Sequence, residues 1–479
     1  MDRHEAPELD GVHVDAGTGM PLHQQISNCV KGRIAAGALP AGARLPSSRS
    51  LASQLSVSRA TVELAYSVLA AEGYVSRRSA AGTRVQPVPP RRADPPRASL
   101  PVVMPGLASQ PAQPPRLFQM GLPALDVFPR KLWSRLAARH ARSLSLSKMV
   151  YQETGGFAPL RQAIANHLAI GRGLACGVAQ VFITGGFLGA LSVIGRTLLA
   201  PGEQVWIEDP GFPPARHALA LAGGDLVPVP VDRFGMDVCA GIALAPQARL
   251  ALVTPAVQFP LGCALSADRR SQLLSWAAEA GAWVIEDSYD SEFDAGGRTL
   301  PRRQPEVAAD RTLHVGSFSN VLFPGLRLGY LVVPPSLVAD FERTSTLLPL
   351  QQSLLDQMVV SDFIVEGHYA RHLARMRRLY AERRGALSEA LNDVLGDSGH
   401  AEAGAGLHLL LRLHPQLDDA ACAALAAAQG LAVNALSAMA LRSRNGPGLL
   451  LGFANIAPEA ARDAAGRLKA VLDMAGARA

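Results

Sequence analysis

The sequence predicts an α/β protein with a small, basic helix-turn-helix module at its N-terminal end. Three observations carry that expectation. After about Tyr151, short β-rich runs alternate with helix-like stretches, the pattern of a mostly parallel sheet with flanking helices. Before residue 92, positive charge collects on a pattern of two short amphipathic helices and a hairpin. Between them, from Gln86 to about Pro115, the chain is rich in Pro, Arg and Ala and has no apolar periodicity.

The chain has 479 residues, 48% hydrophobic and 18% charged, which suits a globular protein of two or three domains. No apolar run of transmembrane length occurs and Met1–Glu5 lacks a signal-peptide core, so a cytoplasmic protein without membrane contact is expected. Five cysteines (Cys29, Cys176, Cys239, Cys263, Cys422) show neither C-x-x-C pairing nor histidine partners, so reduced thiols and no metal site are expected. The net charge of +6 is unevenly placed: ten basic residues lie between Lys31 and Arg92, against only Glu63 and Glu72. That is the electrostatic footprint of phosphate-backbone binding.

The first module is read over 18–86. Leu45-Pro46-Ser47-Ser48-Arg49 opens a helix with Leu51, Ala52 and Leu55 on one face, and Ser56-Val57 makes the turn. Ser58 can N-cap the next helix, in which Val62, Ala65, Tyr66 and Leu69 recur at helical spacing. Gly73 ends that helix, and Tyr74–Arg78 with Gly82–Val85 read as a hairpin wing. Arg59 and Thr61 stand near the N-terminus of the second helix, where a recognition helix meets base edges. From Pro21-Leu22 to Val85 the run resembles the winged helix-turn-helix of GntR-type regulators. The resemblance implies that Arg49, Ser58, Arg59 and Thr61 contact a double-stranded DNA operator and that Gly82 lets the wing approach the minor groove.

A linker is expected over 87–116 and a second domain over 117–479. In that domain Gln180–Ile183, Gln204–Ile207, Leu250–Val253, Trp283–Ile285, Leu313–Val315 and Tyr330–Val333 read as strands. The stretch Ser266–Ala280 reads as a helix, with Ser266 as N-cap and Gly281 as its stop. From about Leu347 the chain is helical and Ala/Leu/Arg-rich, with an apolar strand candidate at Leu407–Leu411.

Several segments resemble fold-type-I aminotransferases, which bind pyridoxal 5′-phosphate. They are Tyr151, Gly156 and Leu160-Arg161; Glu208-Asp209-Pro210-Gly211-Phe212; Glu286-Asp287-Ser288-Tyr289; and Ser317–Arg327. The resemblance implies an aminotransferase-like fold with a mostly parallel sheet and a smaller C-terminal subdomain. It also implies roles: Asp287 facing the pyridine nitrogen, Tyr289 on the ring hydroxyl, and Phe212 stacked on the ring. Ser317, Arg327 and the turn at Gly186 would hold the phosphate, and Tyr151 would reach the neighbouring subunit's phosphate. Gln258 keeps a glutamine of the family's T-P-x-H-Q pattern, although Val257 replaces its histidine.

One departure governs the chemistry. Where the family places the lysine that forms a Schiff base with the cofactor, this chain has Asn320. A carboxamide nitrogen is delocalised into its carbonyl and is no nucleophile. The chain's four lysines, Lys31, Lys131, Lys148 and Lys469, all lie far from the motif in sequence. Nearly the whole chain resembles the MocR subfamily of GntR regulators. That implies a head-to-tail homodimer whose large domain senses a small-molecule effector, an amine or amino acid among them. The expectation is a DNA-binding transcription regulator with a catalytically inactive domain. Its pyridoxal phosphate would be held non-covalently at most, as the cofactor itself or as a preformed amine adduct. The competing expectation is a working aminotransferase with an accessory DNA-binding domain, which would lack both its anchor and its usual general base.

Overall fold

A computed structural model describes residues 14–78, 82–87, 114–288, 290–293, 310–348, 352–396, 399–402 and 406–476. The chain divides into two compact units, 1–102 and 103–479. Most of the linker expected over 87–116 lies outside the described residues, as does Tyr289.

In the first unit, helices α1 (Leu22–Ala35), α2 (Ser48–Gln54) and α3 (Arg59–Ala71) precede a hairpin of β1 (Val75–Arg78) and β2 (Gly82–Val85). Serine caps start α2 and α3. Ser47 Oγ accepts from the Ser50 amide and Ser58 Oγ from the Thr61 amide, both at 3.1 Å. Each such cap contributes about 0.5–2 kcal/mol. The core draws Ile26 and Val30 from α1, Leu51 from α2, Val62, Tyr66 and Leu69 from α3, and Val75 and Val85 from the hairpin. The buried Tyr66 hydroxyl donates to the Pro46 carbonyl at 2.9 Å, which ties α3 to the entry of α2. Gly73, at φ +79°, turns the chain from α3 into the hairpin.

The second unit is built on an eight-stranded sheet: β3 (Val181–Thr184), β4 (Gln204–Asp209), β5 (Asp225–Asp232), β6 (Gly235–Met236), β7 (Leu250–Val253), β8 (Trp283–Asp287), β9 (Thr312–Ser317) and β10 (Gly329–Val332). Their order is β3-β10-β9-β8-β7-β4-β5-β6. The pairs β4–β5, β4–β7, β7–β8 and β8–β9 are parallel, while β10 runs antiparallel to both its neighbours. Both faces of the sheet are covered. Val205, Ile207, Leu252 and Ile285 pack with apolar residues of helices Gly186–Leu198, Pro213–Leu221 and Val338–Leu347. Their chain neighbours Trp206, Ala251, Val253 and Val284 pack instead with helix Ala267–Ala280. Trp206 stacks on Trp276 with centroids 3.7 Å apart and donates to the Ala245 carbonyl at 3.0 Å. The helix has the expected ends: Ser266 Oγ accepts from the Arg269 amide, and Gly281 is left-handed at φ 67°.

Every strand read from sequence in this sheet is present, and β4, β8 and β9 run about two residues further, to Asp209, Asp287 and Ser317. Strand β5 was not foreseen, because Pro228 and Pro230 argue against an interior strand. They alternate along β5, so both missing N–H groups lie on one side of the strand. On its outer side β6 pairs only with Val231 and Asp232.

A second, antiparallel sheet holds β11 (Gly399–Glu402), β12 (His408–Leu413), β13 (Asn434–Ala435) and β14 (Gly448–Gly452), in the order β11-β12-β14-β13. Its core continues into helices Asp419–Ala428 and Ala461–Gly476 and the long helix His368–Leu395. The strand candidate at Leu407–Leu411 is its central β12.

Below the large sheet, Glu286 is buried and accepts from Arg270 Nε at 2.9 Å and Nη2 at 2.6 Å, with His314 Nδ1 3.3 Å away. Removing one partner of a buried pair leaves an uncompensated charge. Glu286→Leu is therefore expected to destabilise the larger unit by about 3–5 kcal/mol in urea denaturation, and the further change Arg270→Leu to restore most of that loss.

Candidate functional site

The first candidate surface lies on the helix-turn-helix. Arg49 is exposed on α2, and Arg59 is exposed in the first turn of α3. Ser58 and Thr61 share a hydroxyl–hydroxyl bond of 2.8 Å at the same helix end. Gly82 has φ +74°, and a Cβ there would stand 3.0 Å from Arg44 Nε, so both conformation and space favour glycine. Sequence reasoning missed Glu63. Its carboxylate accepts from Ser48 Oγ at 2.8 Å, Arg59 Nη2 at 3.2 Å and Arg77 Nη2 at 3.0 Å. The Ser48 bond first, then the two arginines, hold its pKa below the usual carboxylate range. One acid on α3 thus fixes an arginine of the helix and one of the wing. The signal was Glu63 standing four residues after Arg59 in an otherwise basic module.

The second candidate site lies at the carboxyl ends of β4, β8 and β9, the place where open α/β sheets receive ligands. Strand register assembles it. Gly329 pairs with Thr184 on one side and Ser317 on the other, so the ends of β3, β10 and β9 form one row. After Thr184 the chain turns through Gly186, at φ +77°, into a helix whose free amides open at that row. Arg327, exposed and left-handed at φ 49°, lies against the same turn: a Cβ on Gly186 would be 3.9 Å from its carbonyl carbon. Asp287 is half-buried one strand away, paired in register with Val315, two residues before Ser317. Ser317 Oγ accepts from the Ser319 amide at 3.2 Å. Gly186, Ser317, Arg327 and Asp287 therefore lie along one edge of the sheet, at the same end of four adjacent strands.

Phe212 follows β4 and is 39% exposed. Its ring lies 6.2 Å from Phe187 and 5.5 Å from Phe259, and Phe259 lies 5.4 Å from His408. This aromatic run stands beside the row. Burial lowers the pKa of His408, whose Nε2 bonds to the Pro260 carbonyl.

Other residues singled out in the sequence are occupied differently. Gln258 is fully buried. Its Nε2 donates to Glu208, to the Pro210 carbonyl at 2.9 Å and to the Phe259 carbonyl at 2.6 Å, and its Oε1 accepts from the Leu261 amide. Asp209 accepts from the amides of Leu441, Arg442 and Ser443 at 2.6–2.8 Å, fastening β4 to the loop that leads into β14. Tyr151 is fully exposed, at the end of a segment that also exposes Leu146, Met149 and Val150.

Asn320 is fastened in place. Its Nδ2 donates to Asp290 Oδ1 at 2.9 Å, while Asp290 Oδ2 accepts from the Leu407 amide at 2.8 Å. Asp290 is buried and left-handed at φ 49°, a conformation that Asp tolerates better than most residues. Sequence reading passed over Asp290. Its only signal was a third acid three residues beyond Asp287. Arg172 was also missed: it donates to Ser288 Oγ at 2.6 Å and to Glu292 Oε1 at 2.8 Å, behind the strand end that carries Asp287. Burial raises the Glu292 pKa, but His167 and Arg172 outweigh it and leave it lowered to about 2. Of the lysines, Lys31 pairs with Glu72 in the first unit and Lys469 with Asp473 on the last helix. Among the described residues no cluster suited to a metal ion occurs.

Known proteins show the same two-part organisation. Residues 22–85 match the family of bacterial regulatory proteins, gntR family, and residues 134–468 match aminotransferase class I and II. The chain is 37% identical over 468 residues to the probable rhizopine catabolism regulatory protein MocR of Rhizobium meliloti, covering 95% of this chain and 94% of that one. It is 33% identical over 415 residues to the pyridoxine biosynthesis transcriptional regulator PdxR of Corynebacterium glutamicum, covering 86% and 87%. Among solved structures, the α-aminoadipate aminotransferase LysN of Thermus thermophilus, complexed with N-(5′-phosphopyridoxyl)-L-leucine, superposes with a TM-score of 0.68 at 27% identity. The match covers 76% of this chain and 93% of that one.

Glu208, beside Asp209, gives the site wall a pH signature. Burial pushes its pKa up to about 7, against the hydrogen bonds from Thr254 and Gln258. A raised folded pKa means that the folded state holds the proton more tightly than the unfolded chain, so Glu208's contribution is complete below about pH 4.5 and is lost as pH rises through about 7. Glu208→Gln is expected to flatten the fall in Tm between pH 5 and 7.5, as followed by calorimetry.

Proposed function

This chain belongs to the MocR-type regulators of the GntR family, and from that we propose a DNA-binding transcription regulator whose aminotransferase-like unit senses a small molecule. The observation that carries the sensing half of this reading is Asn320, held by Asp290 at the position of the family's anchoring lysine. Binding groups are present around it and the nucleophile is not.

The donor set suits a phosphorylated pyridine. The helix amides at Gly186, the Ser317 hydroxyl and the exposed Arg327 guanidinium can receive a phosphate. Gly329 keeps that cradle open, because a Cβ there would stand 2.8 Å from the Gly186 Cα. Asp287 can hold a pyridine nitrogen protonated, and Phe212 can cover a ring face. When bound, pyridoxal phosphate supplies an electrophilic carbonyl for amines and an electron-withdrawing ring. The chain's own part is to orient the group and to hold it by charge and contact, since Asn320 can neither anchor it nor accept a proton at neutral pH. The unit therefore binds without turnover, and the effector is an amine or amino acid, met beside the cofactor or as a preformed adduct.

The apolar residues exposed beside Tyr151 are covered in a head-to-tail homodimer, where Tyr151 serves the neighbour's site. The protein acts in the cytoplasm on double-stranded DNA, through Arg49, Ser58, Arg59, Thr61 and the wing at Gly82.

Two experiments test this reading. Arg59→Ala is expected to weaken binding to operator DNA by about 1–3 kcal/mol in fluorescence anisotropy at fixed salt, and to relax sequence preference. Operator affinity unchanged in that variant sinks the recognition role. Titration with pyridoxal phosphate is expected to give saturable binding that ultrafiltration removes, with borohydride fixing no cofactor to the chain. Cofactor reduced onto a lysine, with turnover of amino acid and keto acid, restores the aminotransferase reading.

A further inference from the structure

We propose that the sheet-end pocket selects the aminated form of the cofactor: pyridoxamine 5′-phosphate, or a pyridoxamine phosphate carrying a substituent on its amine, over pyridoxal phosphate. The proposal rests on the pocket reading above and names which member of the ligand class the pocket takes.

The orientation of one amide sets the polarity at the anchor position. At the usual position of a lysine ammonium, a donor, this chain has a carboxamide, which can present either a donor or an acceptor. Asp290 settles which. One of its oxygens accepts from the Leu407 amide and the other faces Asn320 at 2.9 Å. A carboxylate only accepts, so Asn320 must turn its Nδ2 toward Asp290. Its Oδ1 is then the atom left for a ligand, and among the described residues no bond to it occurs. The anchor position has become an acceptor backed by a carboxylate, where the family has a cation.

That reversal decides which 4′ substituent is tolerated. An aldehyde oxygen is itself an acceptor, and set against Asn320 Oδ1 and the Asp290 carboxylate it makes no bond. An amine at the same carbon is a donor and is protonated near neutral pH, so it gains both a hydrogen bond and charge complementarity. Size points the same way. The asparagine side chain is two bonds shorter than that of lysine, and the space so left suits an amine with a substituent.

The geometry is held rather than accidental. Asp290 keeps its left-handed backbone with the carboxylate buried between Asn320 and Leu407, and a Cβ on Gly406 would come within 2.9 Å of its Oδ2. Arg384 donates to the Gly406 carbonyl from the long helix, bracing the strand that supplies the Leu407 amide. Asn320 is thus fastened to Asp290, and Asp290 to the Leu407 amide.

The test is isothermal titration of the full-length protein, in amine-free buffer, with pyridoxamine phosphate and pyridoxal phosphate in parallel. Pyridoxamine phosphate is expected to bind at least tenfold more tightly. In Asp290→Asn, which keeps an acceptor for the Leu407 amide but loses the charge and the fixed amide orientation, the preference is expected to fall below threefold. Asn320→Leu, which removes the acceptor and leaves Asp290 in place, is expected to lose it as well, and thermal melting checks that both variants fold. Pyridoxal phosphate binding as tightly as the amine overturns the selection while leaving the pocket reading intact. A preference that survives both variants also overturns it. Binding of neither form removes the pocket reading itself.

Discussion

The second candidate site depends on a turn and two strands meeting where a further side chain has no room. Gly329 sits where a Cβ would stand 2.8 Å from both the Gly186 Cα and the Gly316 carbonyl oxygen. Gly316 is equally constrained, since a Cβ there would overlap the ring of Tyr330 at 2.1–2.5 Å. Because both are glycine, the end of β3, the start of β10 and the end of β9 can lie in one row. The helix amides after Gly186, the Ser317 hydroxyl and the Arg327 backbone then converge without any of them reaching across open space. A polar cradle made this way is set by backbone, so it needs little side-chain ordering when a ligand arrives.

Around that cradle the aminotransferase pattern has been kept unevenly. Residues that build the walls persist: Asp209 and Gln258 are buried and fully engaged in bonds to neighbouring loops, and Glu208 is locked between Thr254 and Gln258. Other positions of that pattern carry apolar side chains. Phe187 and Phe212 supply rings, and Val257, fully buried, stands where a histidine is usual. The wall residues are thus polar and bonded, while the side chains beside the row are apolar.

Much of this was legible in the sequence, for a physical reason. Strands covered on both faces of a sheet are apolar throughout, so β3, β4, β7, β8, β9 and β10 stood out as short β-rich runs. Serine caps and left-handed glycines marked helix ends at Ser58, Ser266, Gly73 and Gly281. Strand β5 was hidden because its two prolines obey an edge-strand rule that composition alone does not reveal. Candidate positions were legible where motifs are contiguous, as at Asp287, Ser317 and Arg327, which fall on one edge of the sheet. It was illegible where contact joins distant segments: Asp290 meets Leu407 across 117 positions, and Arg172 meets Ser288 across 116. Gln258 shows the reverse difficulty, since a motif position gives no sign of whether its amide faces a ligand or the protein interior.

The two sheets of the larger unit are joined on one side by the helix His368–Leu395. It bonds the Val321 carbonyl through His372, near one end, and the Ala454 carbonyl through Arg383, further along. Elsewhere they are joined by two carboxylate clasps, Asp209 on the amides of Leu441 to Ser443 and Asp290 on the amide of Leu407. Hydrogen bonds to a carboxylate are short-ranged, and three consecutive amides held by one group cannot be released one at a time by a rigid displacement. Parting the sheets by about an ångström would break the Asp209 set together. The end of β4 is therefore fastened to the second sheet by three bonds that act as one attachment.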